Sequence, residues 1–582
     1  MKFRNWGLVG TASVLATFNA SVAYGQQITP PTRDEIAPVV PPVGDDQPRL
    51  TITDNVERSP CPLDKPEYDD IRVDIDDVFF NNLQGITEAE MRQTYGPYLG
   101  KSQPIKRVCE IRDAAATVLR NKGYLAAVEV PAQRIEGGQI KFEVLYARIT
   151  NVRVRGQAGR AEKLIGGYLA KLEDDPIFNR KNAERYLLLA RDLPGYDVRL
   201  TLRPAGTAAG ELIGDVTVTR KPFEVDFNIQ NLAAQDTGIW GGQARAQFHG
   251  LTGMGDSTSI SFYSTAEFKE QQILQAGHSF RVGGEGLRFN GRFTYAWTKP
   301  DLGDFGGGNT PDLTARTLLA SAEASYPVIR SQTRNLTVAG GFDYVNQKVN
   351  FITPLSEDRL RVAYARVSAD AIDGKSTGAP KWRVTGSLEL RRGLSILGAS
   401  KGCNPLCPAG VTLPSRIDGD PTATSIRASV SAEYVVSPQL SFFISPKAQY
   451  AFDPLFSFEE YSAGNYTIGR GYEPGVIIGD DGAGFQLEAR GPRISPPKMS
   501  NVTIQPFAFV DAAWVWNKDR PGNLDPQRLL SVGGGLRSSI SDRARLDLTV
   551  ALPTRAAGLQ TRKGDVRFLL SFTTKLLPWG KR

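Results

Sequence analysis

From Phe223 onward the chain alternates. Phe223, Val225, Phe227 and Ile229 fall on one side of an extended segment, and Glu224, Asp226 and Asn228 on the other. Successive strand side chains point to opposite faces, so a period of two predicts a strand with one apolar and one polar face. The alternation returns at Ile260 and Phe262, Leu287 and Phe289, Phe293 and Tyr295, Leu388 and Leu390, Phe507 and Phe509, and Leu546 and Leu548. Glycine-rich breaks such as Gly253-Met254-Gly255-Asp256 and Gly283-Gly284-Glu285-Gly286 separate the segments. About sixteen segments of roughly 9–11 residues fit between residues 221 and 582, the length a tilted strand needs to cross a bilayer. A row of exported β-sandwiches would need compact strands buried on both faces, which this region lacks. The pattern therefore predicts an all-β transmembrane barrel of about 16 antiparallel strands, with lipid outside and a polar lumen.

Ahead of the barrel the period becomes helical. Residues 49–149 read as a small α+β unit. Ile71, Val73 and Ile75 alternate as a strand, and Thr87 with Glu90 is a capping-box pair that starts a short helix. Ile105, Val108, Ile111, Ala115, Val118 and Leu119 form the apolar stripe of a second helix. That helix stops at Lys122-Gly123-Tyr124, with glycine just past its last turn. Strands follow at Leu125 to Val130 and at Ile140 to Leu145. Residues 150–220 repeat the β-α-α-β-β order: a strand at Val152 and Val154, a helix from Ala161 to Leu172, a helix capped by Asn179, and strands near Val198 to Leu202 and Ile213 to Val218. Residues 26–48, with Pro30-Pro31, Pro38, Pro41-Pro42 and Pro48, read as an extended linker without a core. Residues 1–25 read as a signal peptide: Lys2 and Arg4, an apolar run from Trp6 to Phe18, then Ala23-Tyr24-Gly25. No other stretch approaches the ~20 apolar residues of a spanning helix. A closed barrel is then the way such a chain crosses a membrane.

Composition sharpens this picture. Of 582 residues, 41% are hydrophobic and 23% charged. The mean hydropathy of -0.27 excludes a helical membrane protein and suits a barrel, where only alternate residues meet lipid. The formal net charge of +7 is spread along the chain and supports no nucleic-acid reading. The four cysteines fall in two local groups, so the simplest pairing is Cys61 with Cys109 and Cys403 with Cys407, which fits an exported protein. The Cys403–Cys407 spacing could be half of a metal site, but His249 and His278 stand far from it, and no metal is expected. The chain has no G-x-S-x-G, phosphate loop or histidine triad. Asp480-Asp481 lies in a glycine-rich loop, where adjacent acids are ordinarily solvated. No enzyme activity, cofactor or nucleotide is expected.

The chemistry concentrates near the C-terminal end, at Gly469-Arg470-Gly471-Tyr472, Gly479-Asp480 and Glu488, followed by Phe509-Val510-Asp511 in a strand. The first α+β unit carries Asn121-Lys122-Gly123-Tyr124, Val130-Pro131-Ala132-Gln133 and Gly137-Gly138; the second carries Leu193-Pro194-Gly195-Tyr196-Asp197-Val198. With Gly250 to Asp256 in the first hairpin, these motifs make the chain resemble two-partner secretion transporters of the hemolysin secretion/activation type. That family belongs to the superfamily of outer-membrane barrels bearing POTRA domains. The resemblance spans nearly all of the chain after the leader.

It implies a loop folded back into the lumen, carrying Arg470, Gly471, Tyr472, Gly479 and Asp480. Arg470 would meet an aspartate of the inner wall, here Asp511 with Phe509 beside it. A guanidinium suits that role because it pairs with a carboxylate in one fixed orientation. Gly471 would allow a tight turn and Tyr472 would pack on the wall. The resemblance further implies two periplasmic POTRA domains, residues 49–149 and 150–220, and a barrel over 221–582 in the bacterial outer membrane. The partner would be a large secreted β-helical client, such as an adhesin or cytolysin, held unfolded by strand addition. Gly123, Tyr124, Pro131 and Gln133 are the client-binding candidates. Gly469 departs from the pattern, standing where the family more often has a branched apolar residue. Many relatives carry an N-terminal plug helix; here only Thr32 to Ala37 could start one, and it is short. A barrel insertase is the alternative function, but insertases usually carry more POTRA units than the two found here. A nutrient receptor with a plug domain disagrees with the repeated β-α-α-β-β order.

Overall fold

The computed structural model describes residues 31–36, 60–208, 210–301, 312–374, 380–403, 407, 410–518, 525–558 and 561–577. Residues 1–25, read as a leader, and most of the proline-rich segment lie outside the described residues.

Sixteen antiparallel strands, from Phe223–Gln230 to Arg567–Leu577, close into one barrel. The last strand pairs with the first, Ser571 facing Gln230 and Thr573 facing Asn228. Alternation assigns the faces as expected on most strands, but Phe507 and Phe509, counted in the apolar alternation, turn inward, because Phe509 stacks on Arg470 in the lumen. On the first strand Phe223 and Ile229 are exposed, while Asp226, Asn228 and Gln230 are buried toward the lumen. Ile260, Phe262, Leu388, Leu390, Leu536 and Val550 continue the outward apolar set. Such a belt is unfavourable in water, by about 25 cal/mol per Å² of apolar surface, and is at home in hydrocarbon. No helix among the described residues is long and apolar enough to cross a membrane.

The wall is uneven in height. Leu313–Arg330, Arg334–Phe351 and Thr353–Ile372 run for 18, 18 and 20 residues. Toward the strand Trp382–Gly393 they rise at the far end, away from the N-terminal units. Beyond Val362, which faces Gly393, the next strand no longer pairs with Thr353–Ile372.

The first N-terminal unit is a sheet with Gln139–Tyr146 at its centre, flanked by Asp77–Asn81 and Ala126–Glu129. Helix Arg107–Lys122 lays Val108, Ile111, Ala115 and Leu119 on it, all buried. Thr87 and Glu90 complete their capping box, and Gly123 ends the long helix in the left-handed region at φ 100°. One strand escapes the sequence pattern: Lys101–Pro104 pairs with Arg72–Ile75 through backbone groups, with no apolar alternation of its own. Disulfides join Cys61 to Cys109 and Cys403 to Cys407.

The second unit runs Arg148–Gly156, Glu162–Ala170, Arg180–Arg191, Tyr196–Pro204, Glu211–Arg220, in the expected β-α-α-β-β order. Backbone bonds fix the two units together. Arg180 N donates to Gly123 O at 2.7 Å and Phe178 N to Ala147 O at 2.7 Å. The second unit is also seated on the near-end turns of the barrel. Asp192 accepts from Arg330 Nε and Nη2, both at 2.7 Å, and Arg281 Nη2 donates to the Asp192 carbonyl.

Candidate functional site

Residues 452–480 link the strands Leu440–Ala451 and Asp481–Arg490 at the far end, yet they turn into the barrel rather than into solvent. Tyr461–Ala463 and Ile477–Gly479 pair antiparallel and form a stalk, with residues 464–476 as its tip. The lumen becomes a small core where Ala463, Ile468, Tyr472 and Ile477 pack on Ala513, Val515 and Leu529 of the wall.

Arg470 fastens the tip. Its backbone N–H and its Nε each donate to Asp511 Oδ2 at 2.9 Å, and Nη2 donates to Asp511 Oδ1 at 2.6 Å. Nη1 donates to Glu488 Oε1 at 2.6 Å. The guanidinium carbon lies 3.6 Å from the centre of the Phe509 ring, which adds a cation–π contact. Asp511 is wholly buried. Glu488 also accepts from Arg537 Nη1 at 2.9 Å and Arg490 Nε at 2.9 Å, so the lock continues as a network along the wall.

The turn is made differently from the expectation. Gly469, not Gly471, takes the left-handed backbone, at φ 125°. Side chains are strained there, which gives a physical reason for the residue that departs from the family pattern. Gly471 is needed for closeness: a Cβ on it would lie 2.8 Å from Ser531 Cβ. Gly479 likewise lets the stalk approach Trp516 O, which a Cβ would meet at 2.8 Å. Tyr472 is fully buried; its hydroxyl accepts from Leu530 N at 3.2 Å and lies 2.9 Å from Leu530 O and 3.0 Å from Arg555 O.

Asp480 corrects the reading of a solvated acid pair. It is fully buried; Oδ1 accepts from Leu455 N at 2.6 Å and Arg416 Nη1 at 2.5 Å, and Oδ2 accepts from Lys518 N at 2.7 Å. Asp481 accepts from Ala451 N at 2.7 Å.

The proline-rich segment is also corrected. Residues 31–36, read as coreless linker, lie inside the barrel as a single turn closed by Ile36 N on Thr32 O at 3.4 Å. Ile36 is buried with Tyr263, Ile273, Phe456 and Phe458. Arg33 bridges wall and loop, Nη1 to Asp343 Oδ2 at 3.1 Å and Nη2 to Glu459 Oε1 at 2.6 Å. Arg391 grips the same two acids, at 2.7 Å and 2.8 Å. Gln347 Nε2 donates to Pro31 O at 2.9 Å, and Ser462 Oγ to Asp34 Oδ2 at 2.7 Å. A charged lumen receives this turn by ion pairing, which leaves no apolar stripe in the sequence.

Of the client-binding candidates, three already have structural duties. Gly123 O and Tyr124 belong to the seam between the two N-terminal units, where Tyr124 bridges to Asn179. Tyr124 also stacks edge-on against Tyr146, with ring centres 5.7 Å apart. Gln133 acts as a one-residue strand: Oε1 accepts from Lys141 N at 2.8 Å and Nε2 donates to Lys141 O at 2.7 Å. It covers the edge of Gln139–Tyr146 beyond the point where Ala126–Glu129 stops pairing at Glu143. Pro131 leads into this turn; its carbonyl lies 3.5 Å from Gln133 Nε2. Among the described residues no cluster of His, Cys, Asp and Glu is placed to hold a metal ion.

Sequence reasoning missed Arg33, Arg391 and Arg416. For Arg391 a signal existed: it stands one place after the outward Leu390, so the period of two turns it to the lumen. Arg33 lies in Thr32 to Ala37, the stretch read as the one possible plug start, though it forms a single turn rather than a helix; nothing in the pattern marks Arg416.

The profile of the haemolysin secretion/activation protein family, ShlB/FhaC/HecB, matches residues 215–538, and that of the ShlB-type POTRA domain matches residues 73–146. The heme/hemopexin transporter protein HuxB of Haemophilus influenzae (strain 86-028NP) is 22% identical over 489 residues, 81% of this chain and 82% of its own. The outer membrane transporter CdiB of Dickeya dadantii (strain 3937) is 20% identical over 480 residues, 79% of this chain and 78% of its own. The solved structure of CdiB from Escherichia coli shares the fold with a TM-score of 0.70 at 17% identity, covering 91% of this chain and 94% of that one.

Proposed function

The chain belongs to the haemolysin secretion/activation protein family, and from that premise we propose how its lumen and its N-terminal units pass an exported partner across the membrane. Proteins of this family are two-partner secretion transporters of the outer membrane, not enzymes; the POTRA units lie in the periplasm and the far end of the barrel at the cell surface. The partner is a large secreted β-helical protein of the adhesin or cytolysin kind, received unfolded by the POTRA sheets. An unfolded chain offers unpaired backbone groups, and a free sheet edge satisfies them without reading sequence. Because Gln133 occupies the edge at Lys141, the client strand adds at a terminal strand, Ala126–Glu129 or Tyr196–Pro204. Gly123 and Tyr124 serve by holding the two units at a fixed angle.

One observation carries the reading: a closed barrel whose filling is two chain segments, each fixed by arginine–carboxylate pairs rather than by covalent bonds. Segment 31–36 is the stopper, and loop 452–480, locked through Arg470 and Asp511, guides the client along the wall. The periplasm holds no nucleotide supply, so client folding outside draws the chain through.

The test is removal of the gene. The parent places a large exported protein on the surface; the deletion strain keeps it in the periplasm while other outer-membrane barrels assemble at normal levels. The insertase reading expects the reverse, a general loss of barrels.

A further inference from the structure

We infer that Arg416 is a second positioning residue of the inward loop, and that segment 410–423 is the clasp that holds the outer mouth of the pore closed. This goes beyond the transport reading, since it concerns how the resting lumen is sealed.

Glu460 immediately precedes one stalk strand and Asp480 immediately follows the other, so the two acids face each other across the base of the stalk. Arg416 Nη1 donates to both, to Glu460 Oε1 at 2.7 Å and to Asp480 Oδ1 at 2.5 Å. The side chains of Arg416, Glu460 and Asp480 are 1%, 1% and 0% exposed. Arg416 Nε and Nη2 donate to Asp418 of the same loop at 3.2 Å and 2.7 Å. One cation thus staples the base, while Arg470 fastens the tip. Without the cation, the two buried carboxylates lose the one group that joins them across the stalk, and the base of the stalk is loosened.

Neighbouring contacts make the staple part of a seam. Ser457 N donates to Ser415 Oγ at 3.1 Å and Asp420 N to Pro454 O at 2.8 Å. Gly419 lies against the Phe456 ring, where no Cβ fits. Ser415 N donates to Asp358 Oδ1 at 2.8 Å, anchoring the clasp to the tall strand Thr353–Ile372. That strand lies on the far side of Trp382–Gly393, Thr424–Ser437 and Leu440–Ala451 from the stalk's own exit strand. Lys518, from the loop after Val502–Trp516, donates to Asp480 as well, so three loops converge on one carboxylate.

Beneath the seam the lumen is packed. Phe456, Phe458 and Ile36 fill it against Tyr263, Val345 and Leu360. An extended chain with its side chains needs a passage of roughly 5 by 10 Å. A chain of that size passing these side chains would have to part the clasp above them.

The test uses the full-length protein in outer-membrane vesicles. All four native cysteines are in disulfides, so Ser462→Cys in the buried stalk gives a single free thiol. In that background Arg416→Gln should speed labelling by an impermeant maleimide tenfold or more and raise pore conductance. Arg416→Lys, which keeps the charge but not the fork, should fall between. Heat-modifiable gel mobility confirms the folded barrel. Parental labelling and conductance in folded Arg416→Gln overturn the proposal. A second arm pairs Ser415→Cys with Ser457→Cys. Oxidised, this pair should block export, and reductant should restore it under conditions where the parent exports normally. Export at the parental rate from the oxidised pair overturns the clasp. The labelling arm needs no client, so its failure is distinct from a failure of the transport reading.

Discussion

Arg470→Ala separates a lock from an ornament. The substitution removes three of the four hydrogen bonds that Arg470 makes to the wall and strips Asp511 of both its guanidinium donors. Among the described residues, the backbone N–H of residue 470 is the donor that remains for that carboxylate. Glu488 is less affected, because Arg537 and Arg490 still neutralise it. Removing one partner of a buried pair is destabilising by about 3–5 kcal/mol, mostly through the charge left behind. Water entering the vacated space places the effect near the lower end, about 3 kcal/mol, which shifts the inward–outward balance of the loop on the order of 150-fold. The barrel register does not run through Arg470, so the variant should insert and keep its heat-modifiable mobility. Proteinase K added to intact cells should cut residues 464–476 readily, and client export should fall roughly tenfold or more. Adding Asp511→Ala to Arg470→Ala removes the stranded carboxylate and should restore about 1–3 kcal/mol of loop protection. Cleavage should therefore rank Arg470→Ala above the double variant, and the double variant above the parent. Parental protection and export in Arg470→Ala, or a double variant cut faster than the single, would refute the reasoning.

Three further outcomes follow from contacts elsewhere. Arg33→Ala leaves Asp343 and Glu459 neutralised by Arg391, so only the stopper is loosened; conductance should rise with the barrel unchanged, and unchanged conductance would remove segment 31–36 as a stopper. Gln133→Ala deprives the Lys141 backbone of both its side-chain partners, a loss of about 1–2 kcal/mol, so hydrogen exchange at Lys141 should quicken roughly tenfold; unchanged exchange would return Gln133 to the surface. Serine at Cys61 and Cys109 opens a loop of 48 residues, worth about 4 kcal/mol by closure entropy, and should make the first POTRA unit protease-sensitive. Serine at Cys403 and Cys407, 4 residues apart, should matter less, by about 2 kcal/mol.

What was legible in the sequence follows from what each solvent enforces. Lipid tolerates no charge on the outward face, so alternation exposes the strands, and Asp226 and Asn228 were placed correctly from their neighbours alone. Helix ends were legible at Thr87, Gly123 and Asn179 because capping is local chemistry. The Arg470–Asp511 pairing was legible only through its motif. The polar lumen has no period that separates a paired charge from a solvated one. Hence Arg416, Arg33 and Arg391 were invisible as lock members, and Asp480 looked solvated. Their partners lie 64, 310 and 48 positions away along the chain. Lys101–Pro104 was missed for a related reason: a strand held by backbone bonds alone needs no alternation.

The two fillings of the lumen are not held equally, and the difference orders their release. Segment 31–36 rests on one apolar anchor, Ile36, and one cation, Arg33. Loop 452–480 buries Leu455, Phe456, Phe458, Tyr461, Ile468, Tyr472 and Ile477 and is fixed by Arg470 at its tip and Arg416 at its base. Each large apolar side chain withdrawn into water loses about 1.5–3 kcal/mol, so six more such groups favour retention of the loop by about 9–18 kcal/mol. Ion pairs add less to this difference, because charges leaving the lumen regain hydration. Their contribution is position: a guanidinium fork accepts its carboxylate in one orientation. With segment 31–36 as the proposed stopper, an arriving client would displace it while the loop stays on the wall. In that sequence the base staple at Arg416, which faces the surface, parts after the stopper has gone, and the tip lock at Arg470 has no need to open.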